Sequence, residues 1–227
     1  MRIRVSGLRM QDVSEVMNSG CVHCVCLNFI SGSPECVQTI PTGVGCMPDA
    51  APRIHSDNDA DALCRNKRPL LVGVFGSEMA QSIVARIHLF HLDGIQFQGD
   101  VSTVLLDNLR RTLIPDICPE IVVTKYVSGD PQLMESQCEK YGDYVDAFLL
   151  DGYTDADVSH TLRFLDMNAG KSIEVPFYVR VAPDVQRIAA CLNHISHPRF
   201  EGVDIDFSLS KGVDDVLSIL RDVSGML

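Results

Sequence analysis

The stretch Val145–Gly152 reads Val-Asp-Ala-Phe-Leu-Leu-Asp-Gly, a short apolar run that ends in a carboxylate and a glycine. Such a run is typical of a strand buried on both faces, as in a parallel sheet covered by helices. Asp151 stands at the carboxyl end of this strand, the edge where α/β proteins place their functional residues. Aspartate is also common in turns and helix caps, so Asp151 has both a functional and a local structural interpretation.

Segments with strand and helix patterns alternate on both sides of this stretch. Apolar residues at helical spacing follow each predicted strand, for example Val158, Leu162 and Leu165 after Leu150. The predicted strands are Arg2–Ser6, Cys21–Phe29, Leu70–Phe75, Gly94–Gly99, Glu120–Val127, Val145–Leu150, Val175–Val181 and Gly202–Phe207. Strands that alternate with helices indicate a parallel sheet, and eight such units are the number in a TIM barrel. We therefore predict an α/β protein with one (β/α)8 TIM-barrel domain over residues 1–227.

The second strand–helix unit departs from the regular pattern. Residues 30–56 are rich in Gly, Pro, Ser and Asp and lack apolar periodicity, which predicts an irregular loop, mobile or partly ordered, over the barrel mouth. Ser56 is a candidate cap for a short helix through Ala60–Cys64.

Composition restricts the classes of partner. The 227 residues carry a formal charge of −11, which argues against nucleic acid and anionic membrane surfaces. No apolar stretch approaches the roughly 20 residues that span a bilayer, and the first residues lack the pattern of a secretory signal. The nine cysteines are an odd number in a chain with ample apolar residues. We therefore expect a reduced, cytoplasmic protein.

Four residues near the second strand could suggest a metal site: Cys21, His23, Cys24 and Cys26. Because side chains alternate along a strand, Cys24 and Cys26 share a face and His23 points away. A structural zinc site would need a second pair of ligands, which this segment does not supply. We expect these residues to pack in the core and predict no metal.

Five stretches match a known family in order and spacing. They are Arg-Ile-Arg-Val-Ser-Gly-Leu-Arg at 2–9, Asn28–Val37 with its Ser-Pro pair, Ile-Gln-Phe-Gln-Gly-Asp at 95–100, Phe-Leu-Leu-Asp at 148–151, and Gly-Val-Asp-Ile at 202–205 with Lys-Gly-Val-Asp-Asp at 211–215. Together they resemble the phosphoribosylanthranilate isomerase family, a (β/α)8 enzyme family of tryptophan biosynthesis.

The resemblance implies an Amadori rearrangement of N-(5'-phosphoribosyl)anthranilate, from aminoaldose to aminoketose, without a cofactor. In the family a carboxylic acid opens the sugar ring and a cysteine removes the C2′ proton, which requires two groups with separated pKa values. The acid falls on Asp151, and the cysteine position is occupied by Ser6. A serine acts only with a neighbouring base, for which Lys125 and Asp206 are the candidates. We expect Asp151 and Ser6 to face one another across the carboxyl-end mouth.

Further departures concern substrate binding. Glu35 replaces the family's arginine for the anthranilate carboxylate, and Gln98 replaces a histidine. Arg180-Val181-Ala182 replaces a Ser-Gly-Gly turn whose backbone amides approach the phosphate. Arg180 could supply a charge instead, or could cover the strand end. The predicted substrate-binding residues are Glu35, Gln96, Gln98, Arg180, Asp206 and Ser208.

Two functional hypotheses follow. The first is an isomerase for phosphoribosylanthranilate or for a different sugar phosphate, as a monomer or homodimer. The second is a catalytically impaired barrel of the same family that acts as a binding or regulatory partner. Both remain open because fold does not determine function.

Overall fold

The structure, a computed structural model, describes residues 1–37, 39–42, 45–48, 68–116, 120–171, 173–210 and 212–226. The strands are β1 (Arg2–Ser6), β2 (Cys24–Asn28), β3 (Thr39–Thr42), β4 (Gly45–Pro48), β5 (Leu70–Phe75), β6 (Gly94–Phe97), β7 (Val122–Val127), β8 (Ala147–Gly152), β9 (Phe177–Val181) and β10 (Phe200–Asp206). The helices are α1 (Met10–Asn18), α2 (Ala80–Phe90), α3 (Thr103–Asp116), α4 (Pro131–Tyr141), α5 (Asp155–Asp166), α6 (Asn168–Lys171), α7 (Val185–His194) and α8 (Val213–Ser224), with a 3-10 turn at Gly142–Tyr144.

Eight parallel strands close into a barrel in the order β1-β10-β9-β8-β7-β6-β5-β2, and β2 pairs with β1. Within the described ranges a helix follows each barrel strand except β2, which leads to the β3–β4 hairpin. The predicted fold class, a (β/α)8 TIM barrel, is confirmed. None of the described helices is both long enough and apolar enough to cross a membrane.

The hairpin is a regular element that the sequence patterns did not predict within the irregular loop at residues 30–56. β3 and β4 pair antiparallel, with Thr39 opposite Pro48 and Thr42 opposite Gly45. Threonine and isoleucine next to a short glycine-containing connection are typical of a hairpin, and the strands are too short for a periodicity to be visible. The predicted helix through Ala60–Cys64 lies outside the described residues.

Side-chain alternation gives the barrel wall two different faces. Outward-facing apolar side chains pack against the helices in one large core, where the rings of Phe29 and Phe75 stack with centroids 5.2 Å apart. The inward faces hold two small apolar clusters on opposite sides of the barrel. The first contains Cys24, Cys26, Val72 and Val74, and the second contains Ala147, Leu149 and Tyr178. Buried polar and charged side chains occupy much of the remaining interior.

Candidate active site

Four neighbouring strands bring polar side chains to the carboxyl end of the barrel. Asp151 of β8 lies opposite Arg180 of β9 in the sheet register, and Ser6 of β1 lies opposite Asp206 of β10. Four residues predicted as catalytic or substrate-binding therefore come to the same end of one barrel. This is the end at which TIM-barrel enzymes bind their substrates.

Ser6 has a hydrogen-bond partner that the sequence analysis did not name. Its hydroxyl donates to Oδ1 of Asp204 over 2.6 Å, and the Asp204 side chain is completely buried. The two candidates from sequence have other surroundings, since Asp206 pairs with Arg180 and Lys125 contacts Tyr141 outside the barrel wall. The base available to Ser6 is therefore Asp204.

Arg4 lies in the barrel interior and is bonded to the same carboxylate. Its Nε is 3.3 Å from Oδ2 of Asp204, and its Nη2 donates to Oε1 of Gln96 over 2.5 Å and to Sγ of Cys26 over 3.5 Å. Burial alone lowers the pKa of Arg4, but Cys26 and Asp204 outweigh it and the pKa is raised. Arg4 is thus a permanent cation, and its ion pair holds the Asp204 carboxylate in position.

Gln96 was predicted to bind substrate, and the structure gives its side chain a different environment. It is 1% exposed, and its amide oxygen accepts the hydrogen bond from Arg4. A substrate contact for Gln96 stays a prediction, and the contact that the structure describes is a structural one.

The structure excludes a helix-cap role for Asp151 and shows a turn contact. Helix α5 is capped by Thr154, whose side chain and that of Asp157 form a reciprocal capping box, so the helix does not use Asp151 as its cap. The Asp151 carbonyl accepts from the Thr161 hydroxyl over 2.6 Å, and its carboxylate accepts from the backbone N–H of Tyr153 over 3.3 Å. The second contact is the side-chain to backbone bond of an Asx turn, so Asp151 does stabilise the turn after its strand. A carboxylate has further acceptor sites, which stay available for other partners.

Tyr126 joins Asp151 to the neighbouring arginine. Burial raises the pKa of the Tyr126 hydroxyl, and a hydrogen bond and charge from Asp151 raise it further. The same hydroxyl accepts from Nη1 of Arg180 over 3.3 Å. Arg180 also donates from Nε to Oδ2 of Asp206 over 2.9 Å, and its guanidinium lies 5.1 Å from the ring centroid of Tyr153. Asp151, Tyr126, Arg180 and Asp206 therefore form one polar row across the mouth.

The sequence left two roles open for Arg180, a charge for the substrate or a cover over the strand end. Its guanidinium is held between the Asp206 carboxylate and the rings of Tyr126 and Tyr153, so it does more than cover the strand end. Burial lowers the pKa of Arg180, but the charge of Asp206 outweighs this effect and the pKa is raised. The cation is permanent, and much of its charge is already balanced by Asp206.

Glu35 and Ser208 line a cavity of about 100 Å³ beside the row. Gly7 and Arg9 from the loop after β1 line it as well, and it reaches Gly212 at the start of α8. Gly7 has φ +72°, and a Cβ there would collide with the backbone of Ser208, so only glycine allows the two loops this close.

Gln98 lies apart from these residues. It lines a separate cavity of about 520 Å³ over the ends of β2, β5 and β6, together with Ile30, Glu78 and Asp100. The six predicted substrate-binding residues thus occupy the polar row, two cavities and the barrel interior. Their roles stay predictions.

Sequence reasoning missed three residues of the site, Asp204, Tyr126 and Arg4. Side chains alternate between the two faces of a strand, and this alternation could have indicated Arg4 and Asp204. Ser6 and Arg4 share the inward face of β1, and Asp204 and Asp206 share that of β10. Charged residues on the inward face of a buried strand are rare enough to mark a site.

The cysteine cluster near β2 was also interpreted as core packing. Cys24 and Cys26 share the inward face and are buried. The expectation was wrong for His23, which is exposed because it precedes the strand, and its Nδ1 accepts from the backbone N–H of Ile3 over 3.2 Å. Among the residues that the structure describes, no group of three or more His, Cys, Asp or Glu is arranged to hold a metal ion.

A closed parallel barrel with polar side chains converging at its carboxyl ends belongs to the class of (β/α)8 barrels. Similar solved structures include a phosphoribosyl anthranilate isomerase in complex with reduced 1-(o-carboxyphenylamino)-1-deoxyribulose 5-phosphate, with TM-score 0.68, 18% identity and 99% of both chains covered. The enzyme of that name from Thermotoga maritima gives TM-score 0.66, 18% identity and 100% of both chains. KGPDC from Streptococcus mutans gives TM-score 0.59 and 9% identity, covering 99% of this chain and 97% of the other.

No family model and no curated protein match the sequence. The likeness to solved structures therefore concerns the fold, and at that level it confirms the resemblance indicated by the five stretches. The chain has the barrel of phosphoribosylanthranilate isomerase structures at low sequence identity.

Proposed function

We propose that this protein is an Amadori-type aldose–ketose isomerase with N-(5'-phosphoribosyl)anthranilate as substrate, acting without a cofactor in tryptophan biosynthesis in the cytoplasm. The observation that carries the proposal is the 2.6 Å hydrogen bond from Ser6 to Asp204, at the same barrel mouth as Asp151. An isomerisation of this kind needs an acid and a base that reach one substrate. The barrel supplies a carboxyl group for each role.

Asp151 is the proposed acid. It donates a proton to the ring oxygen of the sugar, and the C1′–O bond breaks as the nitrogen lone pair forms a protonated Schiff base. The neighbouring Tyr126 hydroxyl, whose pKa is raised, stays protonated and can hydrogen-bond to the Asp151 carboxylate after this step. The neutral Tyr126 hydroxyl thus stabilises the carboxylate that Asp151 becomes when it gives up its proton.

Ser6 and Asp204 are the proposed base. The serine oxygen takes the C2′ proton while its own proton passes to Asp204, and the C–H electron pair forms the enolamine double bond. Asp204 thereby gains one proton for the one that the substrate loses at C2′. Asp204 later returns the proton through Ser6 to C1′. The enol O2′–H gives its proton to the Asp151 carboxylate as the C2′=O bond forms, so both carboxyl groups regain their starting states. A serine is a weak base by itself, and the carboxylate behind it provides the basicity.

The substrate anions need cations at the mouth. We expect the phosphate in the cavity that contains Arg9 and reaches the start of α8, because helix N-termini bind anions and the loops after the last barrel strands commonly do so. Arg180 is the second cation, and Asp206 would have to share it with the substrate.

A second candidate function is a catalytically impaired barrel that binds a ligand or partner without turnover. Two observations favour it. Asp206 already balances the Arg180 charge, and Asp12 and Glu35 put two carboxylates in the same cavity as Arg9. Both features weaken binding of a substrate with two anionic groups.

The test is turnover of phosphoribosylanthranilate, followed by the loss of its fluorescence, in wild type, Ser6→Ala and Ser159→Ala. We expect turnover in the wild type, a loss of about 10²-fold or more in Ser6→Ala, and no change in the control. Ser159 lies on the exposed face of α5, where its hydroxyl donates to the backbone of Asp155. A folded wild-type protein without turnover would contradict the isomerase. Binding of the reduced product analogue by that inactive protein would support the second candidate.

A further inference from the structure

A cavity of about 630 Å³ opens at the amino ends of the barrel strands, the end opposite to Ser6 and Asp151. Its wall includes Arg2, Arg4 and Arg68 together with His23. No lining residue that the structure describes is an aspartate or glutamate, although the chain carries a net charge of −11. A basic cavity in an acidic protein attracts anions and disfavours cations.

Arg2 is placed to reach a ligand. It shares a register level with Gly202, and a Cβ at that glycine would collide with the Arg2 backbone, so β1 and β10 approach closely here. The Arg2 side chain is 57% exposed, and its ion pair with Glu201 is long, at 3.7 Å. A hydrogen bond with Tyr178 raises the pKa of Arg2 and ties it to the cavity wall. Most of its donors therefore remain available.

Two further side chains line the cavity, one buried and one exposed. Arg4 is 4% exposed, and its Nε is engaged in the ion pair with Asp204 at 3.3 Å, so this residue contributes charge to the wall. His23 accepts from the backbone N–H of Ile3 through Nδ1, which leaves the proton on Nε2. Burial and the charge of Arg2 lower the pKa of His23, so this nitrogen stays a neutral donor. His23 thus offers one neutral N–H group to the cavity.

The rest of the wall determines the class of ligand. Met17, Val22 and Leu70 give the cavity an apolar side, and its volume is in the range of small-molecule sites. Arg68 is fixed by two hydrogen bonds to Asp93, of 2.7 and 3.0 Å, and serves as a rigid part of the wall. We propose that this cavity binds a small organic carboxylate with an apolar body, the carboxylate on Arg2 and the body against Leu70. The site is independent of the proposed isomerase activity.

Calorimetric titration of the full chain with benzoate tests the proposal. We expect benzoate to bind, benzyl alcohol not to bind, and inorganic phosphate to bind more weakly because it lacks an apolar body. Arg2→Gln should raise the dissociation constant for benzoate by about tenfold or more, because a charge-assisted contact is lost. Arg2→Lys should restore part of the affinity, and Tyr178→Phe should weaken binding a few-fold.

Two variants serve as controls. Arg199→Gln removes an exposed arginine just before β10, at the same end of the barrel, and should leave benzoate binding unchanged. Asp151→Asn alters only the opposite mouth and should also leave it unchanged. Absence of benzoate binding, an equal affinity in wild type and Arg2→Gln, or phosphate binding more tightly than benzoate would overturn the proposal. So would a benzoate site that responds to Asp151→Asn and not to Arg2→Gln.

Discussion

The interior of the barrel and the layer outside its wall each bury a cation, and they treat it differently. Arg4 inside the barrel is ion-paired with Asp204, and its pKa is raised in spite of burial. Lys125 outside the wall donates to the carbonyl of Tyr126 and lies 4.9 Å from the ring centroid of Tyr141. Burial lowers the pKa of Lys125 to about 8, and Asp100 offsets only part of this.

The difference between the two cations distinguishes the barrel interior, which holds the candidate functional residues, from the outer layer, which packs the helices against the wall. A buried cation is retained at low cost when a buried carboxylate accompanies it, and at a high cost when it has only a carbonyl and a ring. The interior combines Arg4 with Asp204 and thereby positions Ser6. The outer layer is apolar packing, in which Lys125 is an exception. We therefore expect interior substitutions to alter activity and outer ones to alter stability alone.

Asp151→Asn is expected to have the largest effect. An amide cannot protonate the sugar oxygen, so the rate of isomerisation should fall about 10³-fold, within the range for loss of an acid catalyst. Steady-state turnover measures this loss, and Asp166→Asn at the exposed end of α5 is the control. If Asp151→Asn retains a tenth or more of the activity, the polar row is structural and the acid lies elsewhere.

Arg4→Met should destabilise the protein most. It leaves Asp204 buried without its cation, which typically costs about 3–5 kcal/mol in the free energy of unfolding. Urea unfolding gives this value, and Arg163→Met on the exposed face of α5 should change it by less than about 0.5 kcal/mol. Similar stabilities for the two variants would mean that the interior ion pair contributes nothing.

Lys125→Met should have the opposite effect at neutral pH. The unfolded lysine binds a proton up to pH 10.5 and the folded one only up to about pH 8. The wild-type free energy of unfolding should therefore rise with pH between about 8 and 10.5. The variant lacks this dependence and should be more stable than wild type at pH 7 by about 3 kcal/mol, at 1.36 kcal/mol per pKa unit. A difference between the two proteins that does not change with pH would contradict the lowered pKa.

Ser6→Cys should have the smallest effect, an increase in activity of about tenfold. A thiol loses its proton far more readily than a hydroxyl and can act as the base directly. The gain is limited because Asp204 already supplies basicity to Ser6. Turnover at saturating substrate measures the change, and unaltered urea unfolding would show that the fold is intact. A folded variant without any gain would indicate that substrate binding, and not proton removal, limits the rate.

The sequence predicted the elements of the barrel closely because its strands are either apolar runs or alternate polar and apolar residues. Arg2–Ser6 and Leu70–Phe75 have the observed bounds, and Val145–Leu150 is displaced by two residues from Ala147–Gly152. The positions of Asp151 and Ser6 at strand ends followed from the same patterns. The hairpin within residues 39–48 was missed, since its strands carry no long-range period.

The hydrogen-bond partners of Asp151 and Ser6 could not be predicted from the strand patterns. Ser6 meets Asp204 only because the first and last strands pair, a relation that no local pattern encodes. Lys125 and Tyr126 are adjacent in sequence, and a shift of one residue reverses which of them faces inward. The strand pattern of Glu120–Val127 fits both assignments, so Lys125 was an acceptable partner for Ser6 from sequence and is excluded by the structure.

The hydrogen bond between Ser6 and Asp204 joins residues 198 positions apart, across the seam where the barrel closes. Contacts of such long range form late, because the chain between them must first be ordered. Because Ser6 and Asp204 meet only where the first and last strands pair, the proposed base exists only in the completely folded barrel. A nascent chain that has not yet released its last strand, or a proteolytic fragment that has lost it, holds Ser6 without its carboxylate. Partly folded forms of this protein should consequently be inert, even where most of the barrel wall is in place.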